Sequence, residues 1–350
     1  MTSHERARAT LHGEKADRVP VCLINFMSIA GDNNVGLDEL FRDGKLMADL
    51  HLGAQREFGH DIVHLQNGVA SVSEALGCQI ECFHNVPPAV RRSVIHDVRD
   101  WGQLNRPDFS KSGTLIAELI KATRIVVEKS GKSVFVRAEA ECGPFTLAGE
   151  MMGVENFLMQ VADPERRTDI HALVDFLTEV VTDFCLAQAN AGAHLVGIGD
   201  PLAGPDLLSP KDYKEFAYPY QKRLVNNLKG KGIDLVIHMC GDITKIFRQV
   251  ASTGAMAVEL DYKVDADECR KLDEDICIIG NIDPSGILAL GTPEEVRSKC
   301  KSAIRVLGLR GHFILGPGCD LPYKTPKANI HALMDVAKTF GNYHEDLLDM

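Results

Sequence analysis

The sequence predicts a closed (β/α)8 barrel on two observations. Eight short apolar, β-branched runs ending in Gly, Asp, Asn or Pro recur along the chain. Amphipathic stretches with apolar residues three and four apart separate them. The length of 350 residues suits one such barrel, for which about 250 residues or more is usual. With 45% hydrophobic and 25% charged residues, the composition is that of a soluble globular protein. Disordered, collagenous and small disulfide-stapled classes are excluded.

In chain order the strand candidates are Val19–Phe26, Asp61–Asn67, Ser133–Glu139, His194–Asp200, Asp234–Cys240, Met256–Asp261, Asp275–Asn281 and Gly311–Gly316. Several are continuous apolar runs, as expected of parallel strands covered on both faces. Helices are predicted over Leu37–Phe58, Thr114–Glu128, Val154–Ala191 and Pro210–Leu228. Four more are predicted over Ile243–Ser252, Ala266–Leu272, Pro293–Leu307 and Ala328–Phe340. Asp242, Thr292-Pro293 and Thr325-Pro326 supply start signals, and Gly192, Gly232, Gly254 and Gly308 stand where helices should stop. Alternation of this kind favours a closed barrel over an open doubly wound sheet. A single domain over 1–350 is expected, with an N-terminal helical extension and an insertion near 67–104 around Pro87-Pro88.

The formal net charge of −11 argues against a nucleic-acid partner, and no apolar run is long enough to cross a membrane. Ten cysteines without a paired framework, behind a polar N-terminal segment, point to reduced thiols in the cytoplasm. Monomer and homodimer both remain open.

Barrel chemistry belongs at the C-terminal ends of the strands. There the sequence places Gln66, Glu139, Glu141, Asp200, His238, Cys240, Glu259, Asp261, Asn281, Asp283 and Cys319. His238 and Cys240, two apart on one strand, point to one side. Cys319 follows the eighth strand in Gly316-Pro-Gly-Cys-Asp320. One nitrogen and two thiolates suit zinc, and three protein ligands leave a position open for catalysis. Glu259 or Asp261 is the candidate fourth ligand. By pattern alone, however, an H-x-C pair is more often ordinary strand sequence than a metal site. Asp200 either positions a substrate or caps a loop. Asn281 and Asp283 either support the ligands or form a turn before Pro284.

Several segments resemble the uroporphyrinogen decarboxylase superfamily: Arg18-Val-Pro20, Gly143-Pro-Phe-Thr146, and Gly199-Asp-Pro201 with Ser209-Pro210. Others narrow the likeness: His238-Met-Cys240-Gly-Asp242, Gly280-Asn-Ile-Asp-Pro284 and Gly316–Pro326 resemble its cobalamin-dependent methyltransferase branch, which includes methylcobalamin:coenzyme M methyltransferases. The resemblance runs from about residue 5 to about 340 and implies a uroporphyrinogen decarboxylase-like TIM barrel. It also implies zinc on His238, Cys240 and Cys319, a methylcorrinoid donor on a separate corrinoid-carrying protein, and a small thiol acceptor such as coenzyme M. Decarboxylases of the superfamily hold a polycarboxylate with an arginine-rich loop after the first strand; here Asn25–Asn34 contains no arginine. Two further readings stay open. One is the demethylase half-reaction from a methoxy or methylamine-type donor, and the other is a tetrapyrrole-binding relative without catalysis.

Overall fold

The computed structural model describes residues 1–273, 275–308 and 311–342. Eight parallel strands form one sheet: β1 (Cys22–Leu23), β2 (Ile62–Leu65), β3 (Phe135–Cys142), β4 (Leu195–Gly199), β5 (Leu235–Met239), β6 (Ala257–Leu260), β7 (Cys277–Ile282) and β8 (Phe313–Pro317). They pair in sequence order, and the ring closes where Val21 bridges to Leu315 and the Leu315 amide donates to the Pro20 carbonyl. This is the (β/α)8 TIM barrel, and each predicted run supplies one strand.

Several helices are shorter than their periodicity suggested, for local reasons. Leu37–Phe58 divides into Leu37–Leu40 and Gly44–Phe58, because the Asp43 carboxylate accepts from the Lys45 and Leu46 amides and starts a new helix. The stretch from Val154 breaks into Val154–Val161 and Arg167–Asn190 at Asp163-Pro164. Pro219 divides Pro210–Phe216 from Tyr218–Lys229, since a proline has no amide to continue the helical ladder. Thr325 does not cap the last helix, Lys327–Thr339; its hydroxyl donates to the Pro322 carbonyl instead. Thr292, by contrast, forms a full capping box with Glu295. Helices at Phe26–Asp32 and Pro144–Met152, absent from the periodicity reading, follow β1 and β3 directly. Between β2 and β3 the chain carries a short helix, Ser71–Ala75, and an antiparallel hairpin of Gln79–Glu81 with Ala89–Arg92. Among the described residues, no helix is long and apolar enough to cross a membrane.

The barrel interior is layered by the two-residue period of its strands. Its lower layer is apolar: Cys22, Ile62, Phe135, Leu195, Val236, Ala257, Cys277 and Ile314 pack with Ala7 and Leu11 of the N-terminal helix Ser3–Leu11, which plugs the base. Asp61 anchors that plug. Its buried carboxylate takes Arg6 at 2.7 Å, Arg18 at 2.9 Å and the Val21 amide at 2.9 Å. Two residues above the apolar layer, the side chains turn polar: His64, Arg137, His238 and Glu259.

His60, beside Asp61, is fully buried and has no hydrogen-bond partner on either ring nitrogen. Burial disfavours its charged form and pushes its pKa down to about 4. The unfolded chain titrates His60 near its ordinary value of 6.5 and so binds the proton first, which means this group costs stability as pH falls below about 6.5. Between pH 6.5 and 5 the loss should reach ~2 kcal/mol, at ~1.4 kcal/mol per pH unit. We expect the stability difference between wild type and His60→Gln, from urea unfolding, to narrow by that amount over this range. A pH-independent difference would contradict the assignment.

Candidate metal centre

His238, next to last in β5, holds its imidazole Nδ1 3.1 Å from the Glu259 carbonyl of the neighbouring strand. That contact directs Nε2 toward the rim, where the Cys240 thiol lies 3.3 Å away. Cys319, on the turn after β8, brings its sulfur to 3.9 Å from that of Cys240. Gly318 permits this approach, because a Cβ there would collide with the Tyr262 and Asp261 backbone. The three donor atoms all lie within 4.8 Å of one another, and all three residues are half-buried. Two thiolates held by one tetrahedral zinc at ~2.3 Å each stand ~3.8 Å apart. The sulfur separation and the mixed nitrogen–sulfur donor set therefore fit zinc. Burial opposes a charge on His238, but the Cys319 thiol and the Glu259 carboxylate outweigh it and raise its pKa, so a metal taking Nε2 must displace a proton.

Neither proposed fourth ligand faces this trio. Glu259 Oε2 lies 3.8 Å from Nδ1, the imidazole nitrogen turned away from the thiols, and both Glu259 oxygens accept from Arg137, at 2.8 and 3.0 Å. Asp261 accepts from the Gly241 and Lys263 amides, each at 2.9 Å, and so shapes the loop after Cys240. A second trio, Cys22, His64 and Glu259, also converges, but it is fully buried and its Glu259 is committed to Arg137.

The other candidates lie elsewhere. Asp200 is fully buried, with one oxygen on the Thr146 amide and the other on Gln221, each at 2.8 Å. It secures the first turn of the helix after β3 and does not line the cavity beside the metal trio. Asn281 donates weakly to the Asp261 and Val264 carbonyls on the outer side of β7. Asp283 caps the turn that begins at Pro284, accepting from Ser285 and Gly286. The turn reading is the correct one for Asp283. Tyr323 donates to the Val35 carbonyl and is a packing contact.

What the sequence did not reveal is the charge layer under the trio. Arg137 is fully buried between Glu259 and Glu139, and Glu139 also receives His64 Nε2 at 2.8 Å. Gly197 makes room for Glu139, because a Cβ at that position would strike its carboxylate. Burial would raise the pKa of Glu139, yet the Arg137 charge and the His64 hydrogen bond hold it below the ordinary range. Glu259 is likewise held down, to about 2, by Arg137 and His238 despite burial. An arginine two residues before a glutamate in an otherwise apolar strand was the available signal. Above this layer opens a cavity of about 80 Å³. Its lining includes His64, Gln66, Glu139, Glu141, His238, Cys240, Glu259, Cys319 and Asp320.

Residues 2–340 match the family model described as uroporphyrinogen decarboxylase, and the chain belongs to that family. It is 29% identical over 343 residues to the methylcobamide:CoM methyltransferase MtbA of Methanosarcina acetivorans, covering 97% of this chain and 98% of that protein. It is 30% identical over 314 residues to the uroporphyrinogen decarboxylase of Chlorobium phaeobacteroides, covering 85% of each. A solved methyltransferase from Methanosarcina mazei superposes with a TM-score of 0.88 at 25% identity, over 97% of this chain and 99% of that one.

Replacing Arg137 by Met should leave the two buried carboxylates without the guanidinium they share. A loss of ~3–5 kcal/mol in urea unfolding at pH 7.5 is the expected result. Little change in the midpoint would show that the buried pairings carry no weight.

Proposed function

We propose that this member of the uroporphyrinogen decarboxylase family is a zinc-dependent methyltransferase moving a methyl group from a corrinoid carried by another protein to a small thiol. The observation that carries the reading is the convergence of His238, Cys240 and Cys319 in the lining of one cavity. Overall identity does not separate the two activities named among the relatives, since it is nearly the same for both. Site chemistry does. A decarboxylase of a polycarboxylate needs cationic groups around its substrate. Among the described residues no Lys or Arg lines this cavity, whereas Glu139, Glu141, Glu259 and Asp320 do.

His238, Cys240 and Cys319 would hold the zinc and leave one position for the substrate sulfur. When bound, the metal supplies the positive charge that keeps that sulfur deprotonated at neutral pH, and two cysteine thiolates offset the charge so the sulfur stays nucleophilic. The protein's own contribution is orientation. The Glu259 carbonyl accepts the Nδ1 proton and leaves the Nε2 lone pair free for the metal. Arg137 holds Glu259 from below, which keeps that strand end in place. The methyl carbon then passes in line to the thiol sulfur, and the electron pair of the broken bond stays with the corrinoid. Exposed Leu207 and Tyr262, on the loops after β4 and β6, stand at the same barrel end and suit docking of a carrier protein.

Elemental analysis should find about one zinc per chain in protein purified without chelator. The Cys240→Ala, Cys319→Ala double variant should lose the metal and fall at least ~100-fold in methylation of thiols by free methylcobalamin, while its far-ultraviolet circular dichroism is retained. A wild-type protein that neither contains nor takes up zinc would refute the mechanism.

A further inference from the structure

Among the described residues, the cavity that would receive the thiol is lined by four carboxylates and no lysine or arginine. Arg137 lies beneath it, fully buried and engaged by Glu139 and Glu259. Glu141 differs from its neighbours. Its Oε2 accepts from the Ser71 and Val72 amides, at 2.9 and 3.4 Å, but its buried Oε1 has no hydrogen-bond partner among the described residues. The residue is only 3% exposed and lines the cavity. Its backbone is also unusual: φ is +57°, a left-handed conformation costly for a residue with a Cβ, at the point where the register of β3 against β4 shifts. Strain of this kind, at a strand end beside a cavity, is retained where it aims a side chain. An unpartnered buried carboxylate oxygen is itself unfavourable until something donates to it or neutralises it.

We propose that the thiol substrate of this site is neutral or cationic at its far end, without a sulfonate or carboxylate, and that Glu141 is the residue that reads that end. This deepens the methyltransferase reading and rests on it. Glu139 and Glu259 are answered by Arg137, but an anionic head would still bring its charge against Glu141 and Asp320, with no lysine or arginine among the described lining residues to offset the loss of its hydration. A cationic head, or one bearing a hydroxyl or amide proton, would satisfy Glu141 Oε1 and favour its ionised form. Coenzyme M, named for the methanogen relatives, carries the disfavoured charge.

The test compares thiocholine and 2-mercaptoethanesulfonate, whose heads are close in shape and opposite in charge, with neutral 2-mercaptoethanol between them. Each is titrated into cobalt(II)-substituted protein, in which a thiol joining the metal changes the thiolate-to-cobalt absorption and reports a Kd without turnover. The titrations are run at pH 9, above the value of about 8 to which burial pushes Glu141. Thiocholine should bind at least about tenfold more tightly than the sulfonate, and kcat/KM with methylcobalamin on the zinc protein should follow the same order. In Glu141→Gln the preference should shrink several-fold. Equal or tighter binding of the sulfonate overturns the inference while leaving the methyltransferase reading intact. An undiminished preference in Glu141→Gln overturns the role of that residue. If no thiol perturbs the cobalt spectrum and none is methylated, the methyltransferase reading fails and the inference falls with it.

Discussion

The site is organised around a guanidinium buried where a barrel is ordinarily filled with aliphatic side chains. Arg137 sits between Glu139 and Glu259, and Glu139 in turn takes His64, so one charge-assisted network joins β2, β3 and β6 across the interior. Burying such groups is unfavourable unless each finds its partner with good geometry. Here one oxygen of Glu139 meets both Arg137 and His64, and both oxygens of Glu259 meet Arg137. The same Glu259 holds the His238 imidazole through its backbone carbonyl, so the orientation of His238 toward Cys240 and Cys319 is inherited from the network below it. The apolar base under Arg137, sealed by the N-terminal helix, excludes water that would weaken these pairings.

The barrel is thus stratified, with an apolar plug at the base, a paired charge layer in the middle, and nitrogen and sulfur donors at the mouth. Stratification follows from the pleat. Residues two apart on a strand face the same way, so Ile62 and His64, Phe135 and Arg137, and Val236 and His238 occupy successive levels. It also explains how one fold family can host different reactions. The scaffold needs only the lower levels, while the chemistry depends on a few residues at the mouth. The near-equal identity to a named methyltransferase and a named decarboxylase reflects the shared scaffold.

Much of this was legible from the residues alone, but unevenly. All eight strands could be read because parallel strands buried on both faces leave dense apolar runs with sharp polar ends. Helix boundaries were less legible: Asp43, Asp163-Pro164 and Pro219 interrupt stretches whose apolar period continues past them. At the site, His238 and Cys240 were readable as a pair from their spacing, and Cys319 from its place after the last strand. Asp200, Asn281 and Asp283 were not correctly readable, because a carboxylate or amide at a strand end serves equally well as a cap, a turn or a ligand. Which of these it becomes depends on what the adjacent loop presents to it.

By itself the sequence determined the order of strands and helices, the parallel barrel they imply, and the kinds of donor available at its mouth. These are consequences of local periodicity and of residue chemistry, which survive without knowledge of contacts. Only the tertiary structure decided that Cys319, some eighty residues from Cys240, meets it at 3.9 Å. It alone decided that Glu259 belongs to Arg137 and that Glu141 keeps an oxygen without a partner among the described residues. Closure of the ring is the physical reason. Strands distant in sequence become neighbours across a shared interior, and each polar group there takes whichever partner its geometry brings within reach.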